Sequence, residues 1–221
     1  MKLYIDSSDA QKIAELNGIL EIAGVTTNPS ILASAGREPK DVIRDIISIL
    51  TPVQKLFVQS VQTDFQGIMA EARQIAALRP DNAYVKIPVT PDGFRAMRQC
   101  RKEGIKVLAT AVFSAEQGLL AALNGAECIA PYVNRMCNYT DGIAEVIDLS
   151  AMLKSTSPDT EIIAASFKNV NQIHALAKAG IDSATVPCDL IFRMISHVGT
   201  DEAVEGFTTI WRKSFGRDTL F

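Results

Sequence analysis

Short apolar, β-rich runs alternate along the chain with longer segments in which apolar residues recur at helical spacing, and the alternation does not break. Strands are predicted over Leu3–Asp6, Gly24–Thr27, Leu56–Val61, Tyr84–Pro88, Lys106–Val112, Cys128–Val133, Ile162–Ser166 and Ala184–Val186. Helical periodicity fills the stretches between them, at about 9–17, 29–35 with 39–50, 64–78, 92–103, 115–124, 142–154, 169–179 and 189–197, with a last segment near 201–214. Local chemistry supports the boundaries. Ser8-x-x-Gln11 and Ser114-x-x-Gln117 fit capping boxes, Asn28-Pro29 and Thr90-Pro91 fit an N-cap followed by proline, and Gly18, Gly104, Gly125 and Gly180 sit where helices should stop.

Eight strand-then-helix units imply parallel strands with right-handed crossovers, and that number of units closes naturally into a (β/α)8 TIM-type barrel. The rival, an open doubly wound sheet, would bring a glycine-rich phosphate loop after an early strand, and neither G-x-G-x-x-G nor G-x-x-x-x-G-K-[ST] occurs. No linker, low-complexity tract or charge block interrupts the pattern. The expectation is therefore one catalytic domain over 1–221, with 201–221 as an extra C-terminal helical tail carrying Val204, Phe207, Ile210, Trp211, Phe215 and Phe221.

Composition narrows the function classes. A net charge of −3 without a basic patch argues against nucleic acid as a partner. There is no apolar signal region and no run of about 18 apolar residues, so no membrane association is expected and a cytoplasmic location is the default. Cys100, Cys128, Cys137 and Cys188 show no Cys-x-x-Cys spacing, and His174 and His197 are not spaced as ligands. The cysteines read as reduced thiols, and no metal site is expected.

One charge is out of place. Lys86 lies inside Ala83-Tyr84-Val85-Lys86-Ile87-Pro88-Val89, a run apolar enough to be a buried strand. Desolvation disfavours an ammonium group, by roughly 3–5 pKa units for full burial, leaving an amine able to attack a carbonyl carbon and form a Schiff base. In a (β/α)8 barrel the active site lies at the C-terminal strand ends. The polar residues there are Asp6, Thr27 with Asn28, Gln59, Lys86, Thr110, Tyr132 with Arg135, and Ser166, whereas the eighth strand offers only Pro187. Most of these have plain structural readings: Asn28 as an N-cap, Thr110 as a β-branched strand residue, Tyr132 as a core aromatic, Asp6 as a cap, Arg135 as a solvated loop residue. Lys86 has none, because an unpaired charge inside a strand is costly.

Four segments carry a resemblance: Ala23-Gly24-Val25-Thr26-Thr27-Asn28-Pro29-Ser30, Val85-Lys86-Ile87-Pro88-Val89-Thr90, Ala130-Pro131-Tyr132-Val133-Asn134-Arg135 and Ala164-Ala165-Ser166-Phe167-Lys168. Together they resemble the small transaldolase family over essentially the whole chain. Gln59 and Tyr132, where transaldolases typically have glutamate and phenylalanine, bring it closest to the fructose-6-phosphate aldolase branch.

The resemblance implies a class I aldolase that cleaves or forms fructose 6-phosphate, with transaldolase activity as the alternative. In that reading Lys86 attacks the donor ketone, Asp6 moves protons, Asn28 orients donor hydroxyls, and Gln59, Thr110 and Tyr132 hold a water. Arg135 and Ser166 meet a sugar phosphate, with Lys168 as a further candidate. No cofactor is implied. The family also implies a homo-oligomer, a decamer of two pentameric rings, with the tail packed on a neighbouring subunit. After Arg135 the chain departs from the family pattern, running Met136-Cys137-Asn138-Tyr139-Thr140-Asp141-Gly142 in place of an acidic, glycine-rich loop.

Overall fold

A computed structural model describes residues 1–221, which divide into two units, Met1–Cys188 and Asp189–Phe221. In the first, eight strands run parallel in chain order and β8 returns to pair with β1, closing the barrel. They are β1 (Lys2–Asp6), β2 (Gly24–Thr26), β3 (Lys55–Gln59), β4 (Ala83–Pro88), β5 (Val107–Val112), β6 (Cys128–Pro131), β7 (Glu161–Ala164) and β8 (Ser183–Val186). The helices between them are α1 (Ala10–Ile19), α2 (Pro29–Ser34), α3 (Pro39–Ile49), α4 (Phe65–Ala76), α5 (Pro91–Glu103), α6 (Ala115–Leu123), α7 (Val133–Met136), α8 (Gly142–Thr156) and α9 (Val170–Lys178). The (β/α)8 expectation holds.

Several details differ from the sequence expectation, each for a local reason. The sixth strand stops at Pro131, because only Tyr132 continues the pairing, as a single bridge to Ala165, before the chain turns into the four-residue α7. At α1 the cap is Asp9 rather than Ser8: Asp9 Oδ1 accepts the N–H groups of Gln11 and Lys12, while the Ser8 hydroxyl donates to the Ile31 carbonyl. Gly18 lies inside α1, not past its end. Ser114 does cap α6, but the Gln117 side chain accepts from the Phe113 N–H, one residue before the position a capping box would use.

Asn28 and Thr90 cap α2 and α5 as expected, each followed by proline at the first helical position. At Gly93, in the first turn of α5, an added Cβ would fall 2.0 Å from the Pro88 carbonyl oxygen, so the bare backbone lets the helix start directly against the end of β4.

Strand alternation sorts the side chains. Tyr4, Phe57, Tyr84, Leu108, Cys128, Ala130, Ile163 and Ala165 pack together as one cluster that draws on six of the eight strand units. Two residues further along the same face come Asp6, Gln59, Lys86 and Thr110, so the period of two carries the polar set to the C-terminal mouth.

The opposite end of the barrel is held by Glu161. Its carboxylate accepts from Tyr4 Oη at 3.2 Å, Lys55 Nζ at 2.9 Å, Lys2 Nζ at 3.3 Å and the Ser183 hydroxyl, joining β7 to β1, β3 and β8. Burial pushes the Glu161 carboxyl up, but hydrogen bonds from Ser183 and Lys55 and the lysine charges outweigh it and hold the group below its ordinary value. Glu161→Ala strands those donors and is expected to cost about 3–5 kcal/mol. A group with a depressed folded pKa stabilises fully above its unfolded value of 4.5 and loses that contribution as pH falls through the folded value. The denaturation midpoints of wild type and variant should therefore differ most at neutral pH and converge on acidification.

The second unit carries the remainder of α10 (Cys188–Ile195) and α11 (Val198–Phe215), which ends at the left-handed Gly216. Trp211 and Phe215 stack at 4.4 Å between ring centroids, and α11 buries none of its side chains. Phe207, Ile210, Phe215 and Phe221 are all exposed. No helix of either unit is long and apolar enough to cross a membrane.

Candidate active site

Lys86 is 3% exposed, and its Nζ donates to the Thr27 carbonyl at 2.7 Å. Burial drives its pKa down from the ordinary 10.5, and the Asp6 carboxylate opposes that only in part. A neutral Lys86 keeps one N–H on Thr27 and a free lone pair, the arrangement a nucleophilic amine needs. Asp6, the last residue of β1, is displaced in the other direction: desolvation raises its pKa, while the Lys86 charge and a hydrogen bond from Thr26 pull it back. Two titratable groups with environments that push their pKa values toward each other mark the site as a place for proton transfer.

Around this pair the mouth is assembled strand by strand. Gln59 on β3 sits in register with Lys86 on β4, and its Oε1 is buried without a hydrogen-bond partner. A buried acceptor left open in this way costs about 1–3 kcal/mol, unless a water or ligand fills it. Thr110 Oγ1 and Tyr132 Oη lie 3.0 Å apart, which brings β5 and the end of β6 together. Arg135, on α7, places its guanidinium 5.0 Å from the Tyr132 ring centroid and is exposed beside it.

Asn28 acts as the α2 cap, with Oδ1 accepting the Ile31 N–H at 2.9 Å; only its amide NH2 is left to meet a ligand. Ser166 follows β7 at φ 62°, the left-handed region that non-glycine residues seldom enter, and its carbonyl accepts the Asn134 N–H at 2.9 Å. Ala111, next to Thr110, is the other non-glycine residue at positive φ, so both backbone exceptions lie at the mouth. Lys168 is exposed, two residues beyond Ser166.

Two residues of the site escape a reading by strand ends. Thr26 Oγ1 donates to Asp6 Oδ1 at 2.7 Å and lies 2.6 Å from Thr185 Oγ1, and both threonines are 1% exposed. The eighth strand thus contributes Thr185, not Pro187. The signal was the alternation itself, since Thr185 shares a face with Ser183, whose hydroxyl is also inside the barrel.

Cys137 is the exposed cysteine, its thiol on the Val133 carbonyl at 3.3 Å, while Cys100, Cys128 and Cys188 are buried. Burial pushes the Cys100 thiol up to about 11. No three His, Cys, Asp and Glu side chains converge so as to hold a metal ion. A cleft of about 710 Å³ opens beside Asp6 against Ser7, Ser8, Ser34 and Arg37, with Lys86 outside its lining.

Solved structures share this architecture. One described as a native KDPGal structure aligns with a TM-score of 0.58 at 14% identity, over 86% of this chain and 84% of that one. A cube-shaped, highly porous protein cage designed by fusing symmetric oligomeric domains aligns at 0.60 and 14% identity, over 86% of this chain and 64% of the other. At such identity the likeness speaks for the fold. The sequence itself goes further, because the model of one family, transaldolase/fructose-6-phosphate aldolase, matches residues 3–219. With a buried lysine and carboxylate at the mouth of a closed eight-stranded barrel, and that match running nearly end to end, the chain belongs to the transaldolase/fructose-6-phosphate aldolase family.

Proposed function

We propose that this protein is a class I aldolase that cleaves fructose 6-phosphate to dihydroxyacetone and glyceraldehyde 3-phosphate or forms it from them. The observation that carries the reading is the fully enclosed Lys86 amine, with its lowered pKa, in register with Gln59. Nζ adds to the ketone carbon, and loss of water from the carbinolamine leaves an iminium ion. Asp6 supplies the proton that leaves with the hydroxyl and takes one back on hydrolysis. The iminium draws in the electron pair of the adjacent C–C bond as that bond breaks, the neighbouring hydroxyl passes its proton to the water assigned to Gln59, Thr110 and Tyr132, and an aldehyde departs from an enamine.

The fate of the enamine separates the activities of the family. Protonation at carbon followed by hydrolysis frees dihydroxyacetone, whereas attack on a second aldehyde makes the protein a transaldolase. The open Gln59 Oε1 and the Thr110–Tyr132 hydroxyl pair suit a water held for protonation, since Gln59 cannot ionise and Tyr132 brings a donor that phenylalanine lacks. Arg135, with Ser166 on its strained backbone, suits the acceptor phosphate, and the amide nitrogen of Asn28 suits a donor hydroxyl.

Incubation with fructose 6-phosphate should release free dihydroxyacetone in amounts equal to the aldehyde. Erythrose 4-phosphate should leave that yield nearly unchanged. Transfer to erythrose 4-phosphate without free ketone would assign transaldolase instead. Gln59→Glu is expected to lower the ratio of free to transferred ketone, measured in the same assay. The proposal extends to a homodecamer of two pentameric rings, supported by the exposed aromatic side chains of α11, with sedimentation velocity as its check.

A further inference from the structure

We infer that Thr185 is a positioning residue for Asp6, acting through the hydroxyl of Thr26. The inference rests on the reading of Asp6 as the group that moves protons. Thr26 on β2 and Thr185 on β8 flank β1 on either side, and their hydroxyls meet over Asp6 inside the barrel at 2.6 Å and 2.7 Å. Each hydroxyl has a single proton. An ionised carboxylate only accepts, so the Thr26 proton lies on Asp6 Oδ1 and the proton between the two threonines belongs to Thr185. If Asp6 takes up a proton on Oδ1, the chain reverses: Asp6 donates to Thr26, and Thr26 donates to Thr185. Both directions keep two hydrogen bonds, which lets Asp6 change charge while staying hydrogen-bonded to Thr26.

With both threonines 1% exposed, no bulk water stands in for either hydroxyl. A lone β-branched strand residue needs no such partner: Val186 occupies the next position of β8 with a purely apolar side chain, fully buried. Lys86 is the charged group that faces Asp6 across the barrel. Of the other charged residues along the adjoining cleft, Asp9 is engaged with the Gln11 and Lys12 N–H groups, and Arg37 is paired with Asp45 at 2.8 Å.

In the ionised state, donation by Thr185 polarises the Thr26 O–H and strengthens its bond to the carboxylate. Removing that donor should make the Asp6 anion harder to form. Thr185→Val keeps the shape and removes the hydroxyl. With aspartate carboxyl carbons labelled by 13C, and the Asp6 signal assigned by its loss in Asp6→Asn, the Asp6 titration midpoint in Thr185→Val should move up by about 0.5–1 unit. The value of kcat/KM at neutral pH should fall by roughly 3–10-fold. Thr185→Ser should restore both. If the valine variant does not fold, Thr185→Cys, with a weaker donor of similar size, should show a shift of the same sign.

An unmoved Asp6 titration in a folded Thr185 variant overturns the inference. So does a serine variant that folds yet titrates like the valine one. Borohydride trapping of wild type with dihydroxyacetone separates the two levels: absence of an adduct at Lys86 defeats the aldolase reading, while the carboxyl titration still decides whether Thr185 acts on Asp6.

Discussion

Lys86→Met is expected to lower turnover of fructose 6-phosphate by on the order of 10⁴-fold or more, because Lys168, the other lysine near the mouth, is exposed and lacks the burial that makes Lys86 a neutral amine. Borohydride reduction in the presence of dihydroxyacetone should add mass to a peptide containing Lys86 in wild type and to nothing in the variant. A wild-type adduct at any other lysine would sink the mechanism. Stability should change with a definite sign in pH. The folded pKa of Lys86 lies below its ordinary 10.5, so between those two values the unfolded chain binds the extra proton and native stability rises as pH rises. The methionine variant lacks that slope. Its stability relative to wild type should thus be greatest below the depressed pKa and shrink toward pH 10.5, a trend read from denaturation midpoints across the range. Loss of the hydrogen bond to the Thr27 carbonyl lowers the whole curve by about 1–3 kcal/mol without altering its tilt.

Asp6→Asn should reduce kcat by about 10²–10⁴-fold, the range associated with a positioned general acid–base group. The substitution keeps an oxygen for the Thr26 hydroxyl to donate to and removes only the charge and the capacity to take up a proton. Because the Asp6 carboxylate raises the Lys86 pKa, its neutralisation should shift the pH at which Lys86 becomes a free amine to lower values. Asp6→Asn and Lys86→Met therefore separate experimentally. The asparagine variant should still be trapped at Lys86 by borohydride, slowly, and at a pH below that needed by wild type. Prompt trapping with full kcat would remove Asp6 from the reaction. Each residue's charge acts on the other, so the pH profile of kcat/KM should change with either substitution.

Lys86 was legible from sequence because a charge within a seven-residue, otherwise apolar run has no cheap structural explanation, and the eight units because their periodicity alternates without a break. Hydroxyl residues in strands were not. A threonine satisfies β propensity wherever it falls, so alternation could put Thr185 on the inner face, but only the pairing of β1 with both β2 and β8 shows that it meets Thr26 beside Asp6. The short α7 eluded the pattern because four residues are too few to show a helical period. At the start of α1, Ser8 and Asp9 are both competent caps, and the choice between them depends on Ser8 finding the Ile31 carbonyl, a contact 23 residues away. Likewise nothing in the type of Ser166 or Ala111 announces a left-handed backbone; the constraint comes from the loops that the barrel geometry must join.

Strands β1, β3 and β8 each take part in two unrelated structures, the first of them shared with β7. Their N-terminal halves supply Tyr4, Lys55, Glu161 and Ser183 to the polar knot that closes the barrel, and the far ends of β1, β3 and β8 supply Asp6, Gln59 and Thr185 to the mouth. Closure and chemistry are therefore written on different residues of the same strands, two to four positions apart. On the proposed reading, exchange of mouth residues, glutamine for glutamate or tyrosine for phenylalanine, would redirect the reaction while the seam between the first and last strands stays shut.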